Sequence, residues 1–324
     1  MNEAVIVSAV RTASGKAHKG SFSQTRVEDL GRAVLEEAVR RTPGLNKADV
    51  EDVILGCAMP EGEQGLNVAR IMSLYAGFPV TTPAITVNRF CASGLQAVAF
   101  AAERIMAGYA DVIVAGGAES MSHVPMSGFR FSPHPVLSVE YPEIYLAMGL
   151  TAEYVAERYG VSREDQDRYA AASHRKAAEA IRAGKFKEEI VPVHAVLRSV
   201  DDEGTVTSVK KVLDADEGVR ADTSEEILAK LKPVFKLNGT VTAGNASQMS
   251  DGAAALVVMS AGRAKALGLK PLAAFRSFAV AGVEPEVMGI GPVPAIPKAL
   301  RMAGLSKQDV KLFEINEAFA SQTL

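Results

Sequence analysis

The chain has 324 residues, 48% of them hydrophobic and 23% charged, with a formal net charge of −3, a composition that suits a globular protein of more than one ordinary domain. That charge balance gives no reason to expect nucleic-acid binding, and two widely separated cysteines exclude a disulfide framework and point to a reducing compartment. No apolar run is long enough to span a bilayer, and MNEAVIVSAVRT turns into a strand too early to hold a signal peptide, so the expected location is cytoplasmic.

Strand-like and helical segments alternate from the start. AVIVSAV reads as a strand, Val27 to Arg41 as a helix with Leu30, Ala33, Val34 and Ala38 on its apolar face, and DVILGCAM as a buried strand containing Cys57. A helix near Asn67–Ala76, the strand ITVN, a small-residue helix from Ser93 to Ala107 and the strand DVIVAGGAES come next. This alternation predicts an α/β fold with strands buried between helical layers. The pattern breaks after Ser120: HVPMSGFRFSPHP is irregular loop, and the charged stretch beginning SREDQD predicts a helix capped by Ser162. Alternation resumes at AAALVVMS, residues 253–260. Late in the chain, VKLFEINEAF reads as another apolar strand.

Cys91 stands out from this frame. It lies between the strand ending at Val87 and the helix starting at about Ser93, in NRFCASGLQA. Unpaired backbone N–H groups and the macrodipole at a helix start stabilise an anion, so this placement predicts a thiol of lowered pKa, suited to a nucleophile. A second feature is an internal repeat. Gly44-Leu45-Asn46-Lys47-Ala48-Asp49-Val50 recurs as Gly304-Leu305-Ser306-Lys307-Gln308-Asp309-Val310, each copy after a helix and before an apolar run. Two related halves are the expected architecture.

NRFCASGLQA at 88–97, GGAES at 116–120, GNAS at 244–247, DGAA at 251–254 and NEAFA at 316–320 resemble, in order, the signatures of the thiolase family. The resemblance implies duplicated βαβ halves in a layered α/β/α/β/α core with an inserted loop domain. The expected boundaries are 1–119 with 250–270 for the first half, 120–249 for the insertion and 271–324 for an incomplete second half. It also implies cleavage of 3-ketoacyl-CoA by CoA through an acyl-cysteine at Cys91, with coenzyme A as substrate and no permanently bound cofactor, in a homodimer or homotetramer joined at the strand before the nucleophile.

By the same resemblance Asn316 orients a water of an oxyanion hole, although from its residue type and setting alone it also reads as a helix-capping asparagine. Arg220 resembles the family's arginine near the nucleotide, or is an ordinary surface arginine. Ser247, with Ala243 and Gly244 beside it, resembles the pantetheine-contacting loop. Phe235, Met148 and Phe319 resemble pantetheine-tunnel residues and would otherwise be core.

The family's GHP and CxGxG motifs do not occur in the sequence, and none of the five histidines sits in a GHP context. The expectation is therefore a chain lacking about the last third of its second half, with acyl transfer impaired. Ala147 before Met148, and FEINEAFASQ, favour a degradative enzyme of fatty-acid β-oxidation over a biosynthetic acetoacetyl-CoA thiolase. A ketoacyl synthase and a catalytically silent CoA- or partner-binding protein are the other readings. No Walker or Rossmann glycine loop and no His/Cys metal spacing is present.

Overall fold

The computed structural model describes residues 2–324. Two compact units form. The first runs to Phe131 and adds Gly184–Gly218 and Met249–Phe275; the second comprises Ser132–Ala183, Val219–Gln248 and Arg276–Leu324.

In the first unit the predicted alternation becomes β1 (Ala4–Thr12), α1 (Val27–Arg40), β2 (Asp52–Gly56), α2 (Val68–Tyr75), β3 (Ala84–Val87), α3 (Ser93–Met106) and β4 (Val112–Ser120). A hairpin of β5 (Val193–Val200) and β6 (Val206–Leu213) comes after these, then β7 (Ser250–Ser260). The main sheet has the order Ala273–Ala274, β1, β7, β4, β2, β3. It is mixed: β3, β2 and β4 run parallel, while β7 lies antiparallel between β4 and β1.

Side chains alternate across this sheet with the period of two that strands impose. Val53 and Leu55 of β2, Val112 and Val114 of β4, and Val257 and Met259 of β7 join one core with the apolar faces of α1 and α2. Ile54, Ile113, Ala115 and Val258 point the other way and pack with Ala97, Ala101 and Ile105 of α3. Two side-chain caps begin helices where the sequence places them. Asn67 Oδ1 accepts from the Arg70 N–H ahead of α2. Ser162 Oγ accepts from the Asp165 N–H at the start of α5.

The second unit contains α4 (Met148–Tyr159), α5 (Arg163–Arg182) and α6 (Pro292–Ala303). Buried Glu153 of α4 accepts the N–H groups of Thr240 and Val241 at 2.8–3.0 Å, holding the chain that leads to GNAS.

The repeated heptapeptides fold alike. Gly44 and Gly304 both take positive φ, 80° and 68°, and each precedes a short 3-10 turn closed by a reciprocal capping box, Asn46 with Asp49 and Ser306 with Asp309. Beyond the repeat the two copies diverge. After Val50 comes β2, whereas residues 312–317 form no strand, contrary to the sequence expectation. Leu312 is 73% and Phe313 40% exposed. An alternating apolar pattern becomes a strand only when another strand supplies hydrogen bonds, and among the described residues none pairs here. Among the described residues, no helix is long and apolar enough to cross a membrane.

Candidate active site

The turn carrying Cys91 is built from the last residues of β3 and the start of α3. Phe90 adopts a left-handed conformation, φ 45°, which costs a bulky residue about 1–2 kcal/mol and must be held by its neighbours. Four hydrogen bonds do so. Ser93 Oγ accepts from the Arg89 N–H at 2.8 Å and donates to the Phe90 carbonyl at 2.5 Å. Asn88 Oδ1 accepts from the Phe90 N–H at 2.8 Å, and Asn88 Nδ2 donates to the Ala58 carbonyl at 3.0 Å.

Gly56 lets α3 descend onto the strand beneath this turn, since a Cβ there would stand 2.4 Å from the Ser93 carbonyl carbon. Within the sheet, a Cβ on Gly116 would stand 2.0 Å from the Ala254 carbonyl oxygen of the adjacent β7. The glycines of DVILGCAM and GGAES are thus close-approach positions. GGAES and DGAA are neighbours across β4 and β7, with Gly117 opposite Ala254 and Ser120 opposite Asp251. Buried Asp251 accepts from Ser120 Oγ at 3.1 Å and from the Ser122 N–H at 2.9 Å. His123, half-buried just beyond, donates its N–H to Ser120 Oγ at 3.4 Å.

The expectation of a lowered Cys91 pKa is overturned. Burial around the sulfur, with the negative charge of Glu119 as a further cause, pushes the Cys91 thiol above its ordinary value, although the residue borders solvent. The Cys91 backbone N–H acts in the opposite direction, but by less than burial raises the thiol. The Ala92 N–H is taken by the Arg89 carbonyl at 3.1 Å and the Ser93 N–H by the Phe90 carbonyl at 3.0 Å. Cys57 is fully buried and its thiol is pushed up to about 12, as an inert core cysteine requires.

The residues assigned to the CoA side fall together in the second unit. Ser247 N–H donates to the Ala318 carbonyl at 2.8 Å, Ala320 N–H donates to the Asn245 carbonyl at 2.9 Å, and Ala246 bridges to Phe319. GNAS and NEAFA are therefore one paired structure. Asn245 Nδ2 fastens it to α5 through Asp167 at 2.9 Å. Phe235 and Phe319 meet edge to face with ring centroids 6.2 Å apart, and Phe235 lies flat against Gly149, next to Met148 at the start of α4. Gly244 is buried against Leu228 and Leu231, while Ala243 and Ser247 are exposed.

Asn316 is exposed in the extended segment and caps no helix; the next helix, Ala320–Thr323, is preceded by Phe319. Glu317 is anchored instead, accepting from Tyr169 Oη at 2.6 Å and from Ser173 Oγ. Arg220 is exposed, and its N–H donates to His174 Nδ1 at 3.2 Å. His174 is half-buried, and burial together with the Arg220 charge lowers its pKa.

Sequence reasoning placed Glu119, Asn88 and Asp251 inside motifs without giving them roles. Each proves to be a hub of hydrogen bonds. The only signal was a polar residue at a strand end among small neighbours.

A mixed sheet flanked by helical layers, with a cysteine raised on a tight turn above glycine-rich strands, matches one family. The profile "Thiolase, N-terminal domain" covers residues 4–262 and "Thiolase, C-terminal domain" covers 269–324. The 3-ketoacyl-CoA thiolase of Bacillus subtilis (strain 168) is 56% identical over 324 residues, spanning 100% of this chain and 83% of that protein. Peroxisomal 3-ketoacyl-CoA thiolase 5 of Arabidopsis thaliana is 49% identical over 99% of this chain and 70% of its own length. The crystal structure of the Bacillus anthracis acetyl-CoA acetyltransferase superposes with a TM-score of 0.87 at 40% identity, over 100% of this chain and 82% of the other. The chain belongs to the thiolase family.

Proposed function

We propose that the protein is an acetyl-CoA C-acyltransferase of fatty-acid β-oxidation that cleaves 3-ketoacyl-CoA with CoA. Once deprotonated, Cys91 Sγ attacks the C3 carbonyl, the C2–C3 bond breaks with its electron pair leaving on C2, and protonation of that enolate releases acetyl-CoA. The remaining acyl group stays on the sulfur until a second CoA thiol collects it as a shortened acyl-CoA. The observation that carries this reading is the Cys91 turn, whose four side-chain hydrogen bonds and left-handed Phe90 present one thiol at the start of α3. Asn316 is assigned to the oxyanion water. Arg220, Ser247, Ala243, Gly244, Phe235, Met148 and Phe319 are assigned to CoA. The pairing of GNAS with NEAFA and the Phe235–Phe319 contact support grouping these residues. Intact mass and peptide mapping after incubation with acetyl-CoA test the nucleophile: one acetyl group on Cys91 supports it, and acetylation elsewhere overturns it.

The degradative direction is supported by the names of the 56% and 49% identical relatives. A biosynthetic acetoacetyl-CoA thiolase is the second reading, favoured by the likeness to the 40% identical acetyl-CoA acetyltransferase. Thiolysis rates against acyl chain length separate them. If only the four-carbon substrate reacts, the second reading stands.

We further assign a homodimer or homotetramer joined through β3. This edge strand has no outer partner among the described residues, and Ile85 is 48% and Tyr109 76% exposed beside a groove lined also by Phe100 and Ala107. Sedimentation of Ile85→Arg tests it: a monomer is expected, and an unchanged oligomer refutes the assignment. Residues 120–249 are read as an insertion because the strands that flank them, β4 and β7, are sheet neighbours paired up to Ser120 and Asp251. A cytoplasmic location is supported by the two free cysteines.

A further inference from the structure

We propose that Glu119 is a positioning residue for Cys91, acting through the Ala58 peptide and Asn88. This rests on the reading of Cys91 as the nucleophile. Glu119 closes the strand β4 beside the end of β2. Its Oε2 accepts the Ala58 N–H at 2.6 Å, and its Oε1 accepts the Met59 N–H at 3.2 Å and Gln64 Nε2 at 2.7 Å. The segment after β2 is thereby fixed to the sheet. The carbonyl of the same Ala58 receives Asn88 Nδ2, and the other end of the Asn88 amide holds the Phe90 N–H. One unbroken line of hydrogen bonds therefore runs from the GGAES carboxylate to the residue whose left-handed backbone aims Cys91.

The choice of a carboxylate follows from the number of donors. Two backbone N–H groups and one amide NH2 converge on it, and the buried Cys57 thiol lies 3.9 Å away. An ionised carboxylate offers only acceptors, whereas a glutamine would turn an NH2 toward donors. The charge itself works against the chemistry, since it helps hold the Cys91 thiol protonated. A negative group kept beside a nucleophile that must become negative serves geometry. The two roles also predict opposite signs. Loss of the charge alone would ionise the thiol more readily and speed acylation, while loss of the anchor lets the turn move and slows it.

The test measures single-turnover formation of acyl-Cys91 from acyl-CoA, normalised to titrated thiol, in E119Q, N88A, the double variant and C91S. Each single variant is expected to acylate about ten-fold more slowly with unchanged half-saturating substrate, since small misplacements of a reacting group cost about that or more. The double variant is expected within about two-fold of the slower single variant, because both cut one line. An unchanged or faster E119Q, or a double variant with the product of the two losses, overturns the proposal. Should E119Q not fold, N88A still decides, since Asn88 is exposed: acylation at the wild-type rate there overturns the relay. Acyl labelling of C91S would instead sink the assignment of the nucleophile.

Discussion

Replacing Gly56 by alanine tests whether the glycines under α3 set the height of the Cys91 turn. The added Cβ would lie 2.4 Å from the Ser93 carbonyl carbon, 2.5 Å from Gly94 N and 2.7 Å from Ser93 Cβ. All three atoms belong to the first turn of α3, and ordinary van der Waals contact begins near 3.4 Å, so the helix start must retreat by about 1 Å. Overpacking of this kind costs about 1–3 kcal/mol. A displacement of about 1 Å at the reacting atom lowers the chemical rate by up to about 100-fold. Gly94→Ala is the matched control. It lies on the same helix start, but its Cβ would meet nothing closer than the Gly116 carbonyl oxygen at 3.9 Å. There alanine should be neutral or stabilise the helix by about 0.5–1 kcal/mol. Denaturant unfolding gives the stabilities, and single-turnover acylation per titrated thiol gives the chemistry. G56A within about 0.5 kcal/mol of wild type, with undiminished acylation, would refute the close-packing argument.

Three further outcomes are expected. Iodoacetamide near pH 8 should label Cys91 and spare Cys57, whose thiol is buried and pushed up to about 12; comparable labelling of both in mapped peptides would contradict this. Ser93→Ala should cost about 1–2 kcal/mol in chemical unfolding and slow acylation, since it strands the Arg89 N–H and removes one of the two donors to the Phe90 carbonyl; an intact acylation rate would show that Asn88 alone holds the turn. Glu37 is lowered to about 2 by Arg40 and Arg41, a folded-state pKa below its unfolded value, so its contribution is full above about pH 4.5 and is lost as pH falls through 2. Because Arg40 is largely exposed, Glu37→Gln should cost only about 1 kcal/mol at pH 7; a gap that closes already between pH 7 and 5 would assign the effect elsewhere.

Where local rules govern, sequence and structure agree closely. The alternation Val53, Ile54, Leu55 predicts a strand covered on both faces, and α1 with α2 and α3 supply the two covers. Asn67 and Ser162 cap helices because their side chains need only a backbone N–H three residues on. The heptapeptide repeat is legible too, and the structure shows each copy closed by a capping box. Disagreement begins where the deciding partner is distant in sequence. LFEI carries a strand pattern, yet residues 312–317 have no strand beside them. His174 lies on a charged helix, yet its ring accepts the N–H of Arg220, 46 residues further on. At Cys91 the helix start was visible, whereas the use of its N–H groups by the turn, and the carboxylate of Glu119 nearby, were not.

The raised thiol pKa bears on how such a site works. A nucleophile held on a strained turn needs its neighbours' hydrogen bonds for geometry, and every donor used by the turn is withdrawn from the thiolate. Here the Arg89, Phe90, Ala92 and Ser93 N–H groups all serve the turn. Placement and activation are thus competing uses of one short backbone segment: those four donors serve placement, while the Cys91 N–H lowers its own thiol, by less than burial raises it. The raised pKa lowers the thiolate fraction, so exposed Cys91 should meet oxidants and alkylating agents more slowly than an ordinary cysteine, yet faster than buried Cys57. On the proposed reading of Cys91 as the nucleophile, its reactivity is supplied at the moment of catalysis by a base that takes the proton, rather than stored in the resting state.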